Sequence, residues 1–429
     1  MIKLKNFYIF LIKLLNKMKF KYIFFILLFF PLNSHAESFN EIVQLLNNHP
    51  TIKAIKYEQK ATDFEGKYKS SWEDPHIRVD ALNFPSREPE FGVTPMSGIQ
   101  TTISQKVPLS RKYKNIKKSY NSKTKALQFS ENAIKRNFTY QVWQNAIQKE
   151  KLQQEIKIYN DNIKWINLMI NVSNKLYITG EISQQSILDL KIRKSEIKIN
   201  IETRNINLKK LKIELAEIIN QPNRNIDISL KSVPWNILNN YKSVVYKELP
   251  EESIYKYSKE SARFNSRAQK SNIISDVTVG VNYRHRNEAD NAGDFVGAFI
   301  SLPLPVRSKK YSNYKAANER YNVSKENLIN YQNNSKSRQL KIKNEIQKMQ
   351  KELSILEKET ISFATISRNI VSKRYRVGKS NYIELIKSEL QLQNLLLKKV
   401  NLKSKLKEKK LTYLFEMGAN IVLYNGEQK

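Results

Sequence analysis

The sequence predicts a mainly α-helical protein with a small β part, laid out as two copies of one plan, and three observations predict it. First, the 429-residue chain repeats its own order at a spacing of about 198 residues. Val107-Pro108-Leu109-Ser110-Arg111-Lys112 recurs as Leu304-Pro305-Val306-Arg307-Ser308-Lys309, and Lys175-Leu176-Tyr177-Ile178-Thr179-Gly180 recurs as Lys373-Arg374-Tyr375-Arg376-Val377-Gly378. Second, each half carries a stretch of roughly 65 residues with apolar residues at coiled-coil spacing. Third, each half carries a pair of short segments that alternate between apolar and polar residues, the period of a strand with two different faces.

Residues 1–36 are expected to be a signal peptide. The apolar run from Tyr22 to Leu32 follows Lys19 and Lys21 and precedes Ser34-His35-Ala36, a small-x-small cleavage pattern. A retained membrane anchor is the alternative, but the run is shorter than the roughly 20 residues that a spanning helix needs. Translation could also start at Met18. No later stretch reaches spanning length, so any insertion in a membrane must use β-strands.

The first repeat is expected over 37–220, with strands at about 76–84 and 99–106 and a long helix at about 110–175. Ile77, Val79 and Ala81 alternate with His76, Arg78 and Asp80. Along the helix, Leu152, Ile156, Tyr159, Ile163, Ile166 and Ile170 are spaced 4-3-4-3-4. The return helix from about 182 to 220 keeps heptad spacing through Ile187, Leu190, Ile197, Ile201, Leu208, Leu211, Leu215 and Ile218, with Lys194 and Arg204 interrupting it.

A connecting segment follows over 221–250. The second repeat spans 251–417, with strands at about 276–285 and 295–302 and a long helix at about 307–374. Val277, Val279, Val281 and Tyr283 alternate with Thr278, Gly280, Asn282 and Arg284, whereas the last strand has small or apolar residues on both faces. Ile346, Met349, Leu353, Leu356 and Phe363 continue the coiled-coil register, with Thr360 filling one position. In each half two shorter helices add up to the length of the long one, so they are expected to stack end to end beside it. Residues 418–429 form a C-terminal tail.

Composition narrows the function classes. With no cysteine, disulfides, thiolate metal sites, cysteine nucleophiles and a lipid anchor on an N-terminal cysteine are all excluded. The net charge of +34 comes from lysines spread among Asn, Ile and Tyr, a pattern of solvated helix faces rather than a nucleic-acid patch. His49, His76 and His285 have no helical i, i+4 partner, and no phosphate loop or nucleophile motif occurs. The chain is therefore expected to be neither an enzyme nor a carrier of a metal or cofactor.

Four strands cannot close a barrel, since the smallest spanning barrels have eight. Open strand edges in lipid cost several kcal/mol per unpaired group, so the strands must pair with those of other copies. Two copies would give eight strands and three would give twelve.

The two-fold repeat, the proline corners, and the Tyr-x-x-Gly turns at Tyr177–Gly180 and Tyr375–Gly378 resemble the TolC family of outer-membrane efflux proteins. The resemblance covers essentially the whole chain after the leader. Its most specific stretch runs from Lys373 to Leu385, and the Asp74-Pro75 strand start and the Met96–Leu109 segment look closest to members of metal or drug exporters. It implies a homotrimer with a twelve-stranded β-barrel in outer-membrane lipid and an α-helical tunnel in the periplasm. A periplasmic adaptor protein and an inner-membrane pump would complete a tripartite system exporting small molecules or metal ions. It further implies that the helical tips meet the adaptor, through Leu176, Tyr177, Gly180, Ser183, Tyr375, Val377, Gly378 and Asn381, and that Tyr375 and Glu384 face the pore axis as a periplasmic gate. Ser186 at the position matching Glu384 and Lys387 one turn further on depart from the pattern and weaken that gate. A secreted coiled-coil adaptor or scaffold is the alternative, although it has no use for four alternating strands.

Overall fold

The computed structural model describes residues 37–242, 249–286, 293–304 and 307–421. The expected leader, the second proline corner at Pro305-Val306, residues 287–292 of the β-hairpin loop and the tail beyond residue 421 lie outside the described residues. A short helix α1 (Phe39–Leu45) leads into α2 (Pro50–Ser70), strands β1 (His76–Leu82) and β2 (Gly98–Val107), and the long helix α3 (Lys112–Ile178). Then follow α4 (Gln184–Ile218), α5 (Asn236–Asn239), α6 (Pro250–Ser271), β3 (Val277–Arg286) and β4 (Phe295–Ser301). The second long rod is α7 (Arg307–Ile355), a π turn (Leu356–Thr360) and α8 (Ile361–Arg376), and α9 (Tyr382–Glu416) is the last element among the described residues. The described strands and helices begin and end within a few residues of the positions expected for them. Strand β1 stops early because Asn83 turns the chain with φ +59° and bonds its side chain to the Met96 carbonyl at 3.1 Å.

With 67 residues, α3 is about 100 Å long. Helices α2 and α4 lie along one side of it, one after the other, as their lengths require. On its other side lie α6 and α9, which in turn pack against α7 and α8. The protomer is thus a slab four helices wide, with α2 and α4 on one edge and α7 and α8 on the other. The sequence pattern placed α6 and α9 beside the second rod only; in the structure they also join the two repeats, because α3 buries both its sides.

The main core sits midway along the rods. Val142, Trp143, Ala146 and Ile147 of α3 pack against Phe39 and Ile42 of α1, Leu215 and Ala216 of α4, Ile346 of α7, and Leu411 and Leu414 of α9. The Trp143 indole stacks at a tilt on Phe39, 5.0 Å away, and donates to the Ile421 carbonyl at 3.0 Å. Residues of the connecting segment, Ile226, Ile228 and Val233, close the same cluster. The first of the described residues is pinned there too: Glu37 and Ile228 form a parallel bridge, and Lys149 reaches Asp227 at 2.5 Å and the Ile228 carbonyl at 2.6 Å. Both repeats contribute to this core.

One expectation on the second rod is overturned. Even spacing carried the seam from Leu356 to Phe363, yet Phe363 is 67% exposed and Ala364 is buried in its place. The π turn inserts one extra residue, so the inward face shifts by one position and continues through Ala364, Ser372 and Tyr375. On α4 the polar break at Arg204 has a structural cause: its guanidinium bonds Glu155 at 3.0 Å and lies over the Tyr159 ring at 5.1 Å.

The four strands form one antiparallel sheet in the order β1-β2-β3-β4. Across it run the rows Ile77–Ile103–Val281–Ala298 and Val79–Thr101–Tyr283–Val296. Because side chains alternate, these rows share one face with Ile99, Val279 and Ile300, and most of these residues are exposed. The opposite face carries Arg78, Asp80, Gln100, Thr102, Asn282 and Arg284. Strand β4, ambiguous in sequence, is settled by its register: Val296 and Ile300 lie on the apolar face, and Phe299 covers Gly280 on the other.

Candidate functional site: the paired helical tips and the open sheet

The two hairpins α3–α4 and α8–α9 end side by side. Each turn is built identically, as the repeated Tyr-x-x-Gly predicts. Gly180 has φ +75° and Gly378 φ +68°, the left-handed conformation that costs a side-chain-bearing residue 1–2 kcal/mol. The amide of Glu181 bonds the Leu176 carbonyl at 2.8 Å, and that of Lys379 bonds the Arg374 carbonyl at 2.9 Å, closing the last helical carbonyls in both turns. The Gly378 turn lies against the Glu181 carboxylate, which brings the tips together.

Of the residues expected to meet a partner, Tyr177, Gly180, Ser183, Val377, Gly378 and Asn381 are exposed, and Ile178, not singled out from sequence, is the most exposed apolar residue there. Asn381 also caps α9, its Oδ1 accepting from the Glu384 amide at 2.8 Å. Leu176 and Tyr375 are corrections. Both are buried in a cluster with Met169, Leu190 and Leu385, because the helices of the two hairpins converge on that face. Tyr375 is fully buried, its hydroxyl 2.7 Å from that of Ser173. Burial pushes its phenol pKa up. It therefore faces the inside of this protomer rather than a pore axis or a surface partner. Glu384 is exposed in the first turn of α9 and accepts from the Ser380 hydroxyl at 2.5 Å; Lys387 is exposed one turn on, and Ser186 is buried.

Sequence analysis missed a polar set just above the tips: Asn162 on α3 and Glu389 and Gln393 on α9 are buried, and Arg193 on α4 and Arg368 on α8 flank them half-buried. A signal existed. Leu385, Leu392 and Leu396 keep 4-3 spacing only if Glu389 fills the seam position between them, where an apolar residue is expected. Among the described residues no group of His, Asp and Glu could hold a metal ion, and no helix is long and apolar enough to cross a membrane.

At the other end, edge strands β1 and β4 each pair on one side only among the described residues, and the sheet shows its apolar face to the outside. Both helical edges of the slab are also apolar. Along α4, Ile192, Ile199, Ile206 and Ile213 recur every seven residues and point away from the protomer; along the opposite edge Ile355, Phe363, Ile366 and Ile370 are likewise exposed.

Comparison with solved structures places this architecture. The chain is similar to the outer membrane protein VceC of Vibrio cholerae, with TM-score 0.71, 15% identity, and 89% of this chain and 96% of that one covered. It is similar to the CmeC outer membrane channel of Campylobacter jejuni, with TM-score 0.65, 11% identity, and 91% and 87% covered. It is also similar to the open state of the MtrE outer membrane channel of Neisseria gonorrhoeae, with TM-score 0.67, 9% identity, and 90% and 91% covered. At these identities the likeness is one of fold: the chain has the architecture of bacterial outer-membrane channels over nearly its whole length. No family profile matches the sequence, and no curated relative does.

Proposed function

We propose that the chain is the channel subunit of an outer-membrane efflux duct, a homotrimer whose sheets join into a twelve-stranded barrel and whose helices roll into a periplasmic tunnel. One observation carries this: the slab is unfinished on both edges in the same sense. Strand β4 of one copy can pair with β1 of the next and keep the antiparallel alternation, since each protomer brings an even number of strands. The apolar stripe of α7 and α8 then meets the stripe of α4 on the neighbour. Such head-to-tail contacts close into a ring. The exposed apolar sheet face suits lipid, and the polar face with Arg78, Asp80, Gln100 and Arg284 suits a water-filled lumen.

The duct is passive and carries small molecules or metal ions outward; it uses no cofactor and catalyses nothing. Tyr177, Gly180, Ser183, Val377, Gly378 and Asn381 form the surface for a periplasmic adaptor, which links the duct to an inner-membrane pump. Leu176 and Tyr375 shape that surface from beneath, and Glu384 lines the constriction. A periplasmic adaptor or scaffold is disfavoured by the sheet, whose apolar face would stand in water. The test is reconstitution of purified protein in planar lipid bilayers. A heat-dissociable oligomer with discrete conductance is expected; a monomer that stays in solution and conducts nothing would refute the assignment.

A further inference from the structure

Between the two hairpins, four helices bury a polar cluster that packing alone does not explain. Glu389 begins about 10 Å above the N-terminus of α9. Asn162 Nδ2 of α3 donates to its Oε1, and Arg368 Nε of α8 stands 3.6 Å from its Oε2, too far for a hydrogen bond. Arg193 of α4 is occupied by Gln393 at 2.5 Å and Glu196 at 2.8 Å. Arg368 and Arg193 are the charged groups from neighbouring helices that act on Glu389; α3 faces it with the neutral Asn162.

Five buried polar atoms without a hydrogen-bond partner fall in this cluster: Asn162 Oδ1, Trp165 Nε1, Arg368 Nε, Glu389 Oε2 and Gln393 Nε2. A buried polar group left unpaired costs roughly 1–3 kcal/mol, so a cluster of them marks a place with an unfilled requirement. Two of the five, Asn162 Oδ1 and Glu389 Oε2, are acceptors on side chains that already touch through their other atoms. What that pair lacks is a donor. A proton on the Glu389 carboxyl supplies one, since a protonated carboxylic acid both donates and accepts, as a primary amide does.

We propose that Glu389 is a proton-operated latch between the hairpins: protonated, it pairs with the Asn162 amide and holds the tips packed; ionised, it is drawn to Arg368 and the packing loosens. The two forms use different partners of the same carboxyl, which makes the junction a two-state element. Burial holds the Glu389 pKa above its ordinary value, against the opposing pull of Arg368, the Asn162 bond and Arg193. A carboxyl with a higher pKa in the packed state binds its proton more tightly there, so protonation favours packing. That stabilisation is fully present below the pKa of a solvent-exposed glutamate and is lost as pH rises through the packed-state value. Acid therefore tightens the tips and alkali loosens them, the reverse of a carboxylate held by an ion pair.

The test uses the full-length protein in detergent. Infrared difference spectra between wild type and Glu389→Gln should show a protonated-carboxyl band that titrates above the range of an exposed glutamate. The thermal midpoint of wild type should fall as pH rises through that same range, whereas Glu389→Gln, which keeps an amide donor in place of the acid, should lose that part of the slope. Arg368→Gln should move the Glu389 titration further up. In bilayers, an arm that rests on the duct assignment, the open-to-closed ratio per subunit should rise by up to about tenfold per pH unit in wild type and lose this dependence in Glu389→Gln. Ionisation of Glu389 at or below the ordinary carboxylate range, or wild type gaining stability as pH rises there, would overturn the latch. Absence of conductance in wild type would count against the duct instead, and the spectra would still decide the latch.

Discussion

Lysine at Ile199 and Ile206 should leave each protomer folded and take the assembly apart. Both side chains stand on the outer face of α4, in a heptad row with Ile192 and Ile213 whose members are 57 to 68% exposed. Together the four offer about two and a half isoleucines' worth of exposed surface, and full burial of one contributes roughly 1.5–3 kcal/mol. Covering the row against a neighbour is therefore worth on the order of 4–7 kcal/mol per interface. The double substitution removes about half of that and adds two charges that must be desolvated in the seam. Each interface should weaken by several kcal/mol, enough to convert an oligomer at micromolar concentration into monomers. Light scattering coupled to size-exclusion chromatography would read the mass, and circular dichroism the helix content. An oligomer of unchanged mass, or a wild type that is already monomeric, would refute the interface. Loss of helix content would mean instead that the row supports the protomer itself.

The remaining predictions concern the sheet, the tips and the turns. Val281→Lys places a charge on the apolar face of the sheet and should cost about 2–4 kcal/mol of folding into lipid, whereas Asn282→Lys on the opposite face should be tolerated; liposome folding yields would compare them, and equal losses would mean that the faces are misassigned. Tyr375→Phe leaves the Ser173 hydroxyl without its 2.7 Å partner and should lower stability by roughly 1–3 kcal/mol. Adding Ser173→Ala should recover part of that loss, as read by urea denaturation, and strict additivity would show that the hydroxyls do not interact. Gly180→Ala should cost about 1–2 kcal/mol through its left-handed backbone alone, because open space surrounds the position. Gly378→Ala should cost a similar amount, since the Glu181 carboxylate that its new methyl meets is the free end of an exposed side chain and can swing aside; a much larger loss, read by thermal midpoints, would show that carboxylate to be held rigidly.

Much of the fold can be read from the chain because its elements are long and strictly periodic. A 4-3 spacing sustained over many turns admits only a helix, and Val277 to Arg284 alternates too regularly for anything but a strand. The repeated Tyr-x-x-Gly likewise marks both tips, since only glycine takes the left-handed turn without strain. Short-range rules fail where one extra residue alters the phase. Phe363 fits the seam in sequence and misses it in space, because nothing in composition distinguishes a π turn from the α-helix around it.

Sequence by itself determined which residues share a face, where the rods turn, and that four strands are too few to close. Only the tertiary structure decided which face meets which. A periodic pattern specifies the direction of a side chain around its own helix but carries nothing about the identity of the neighbour. Tyr375 therefore reads equally as a gate or a core residue until α3 and α9 are seen to enclose it, and Glu389 reads as a flaw in a heptad until Asn162 and Arg368 arrive from helices distant in the chain.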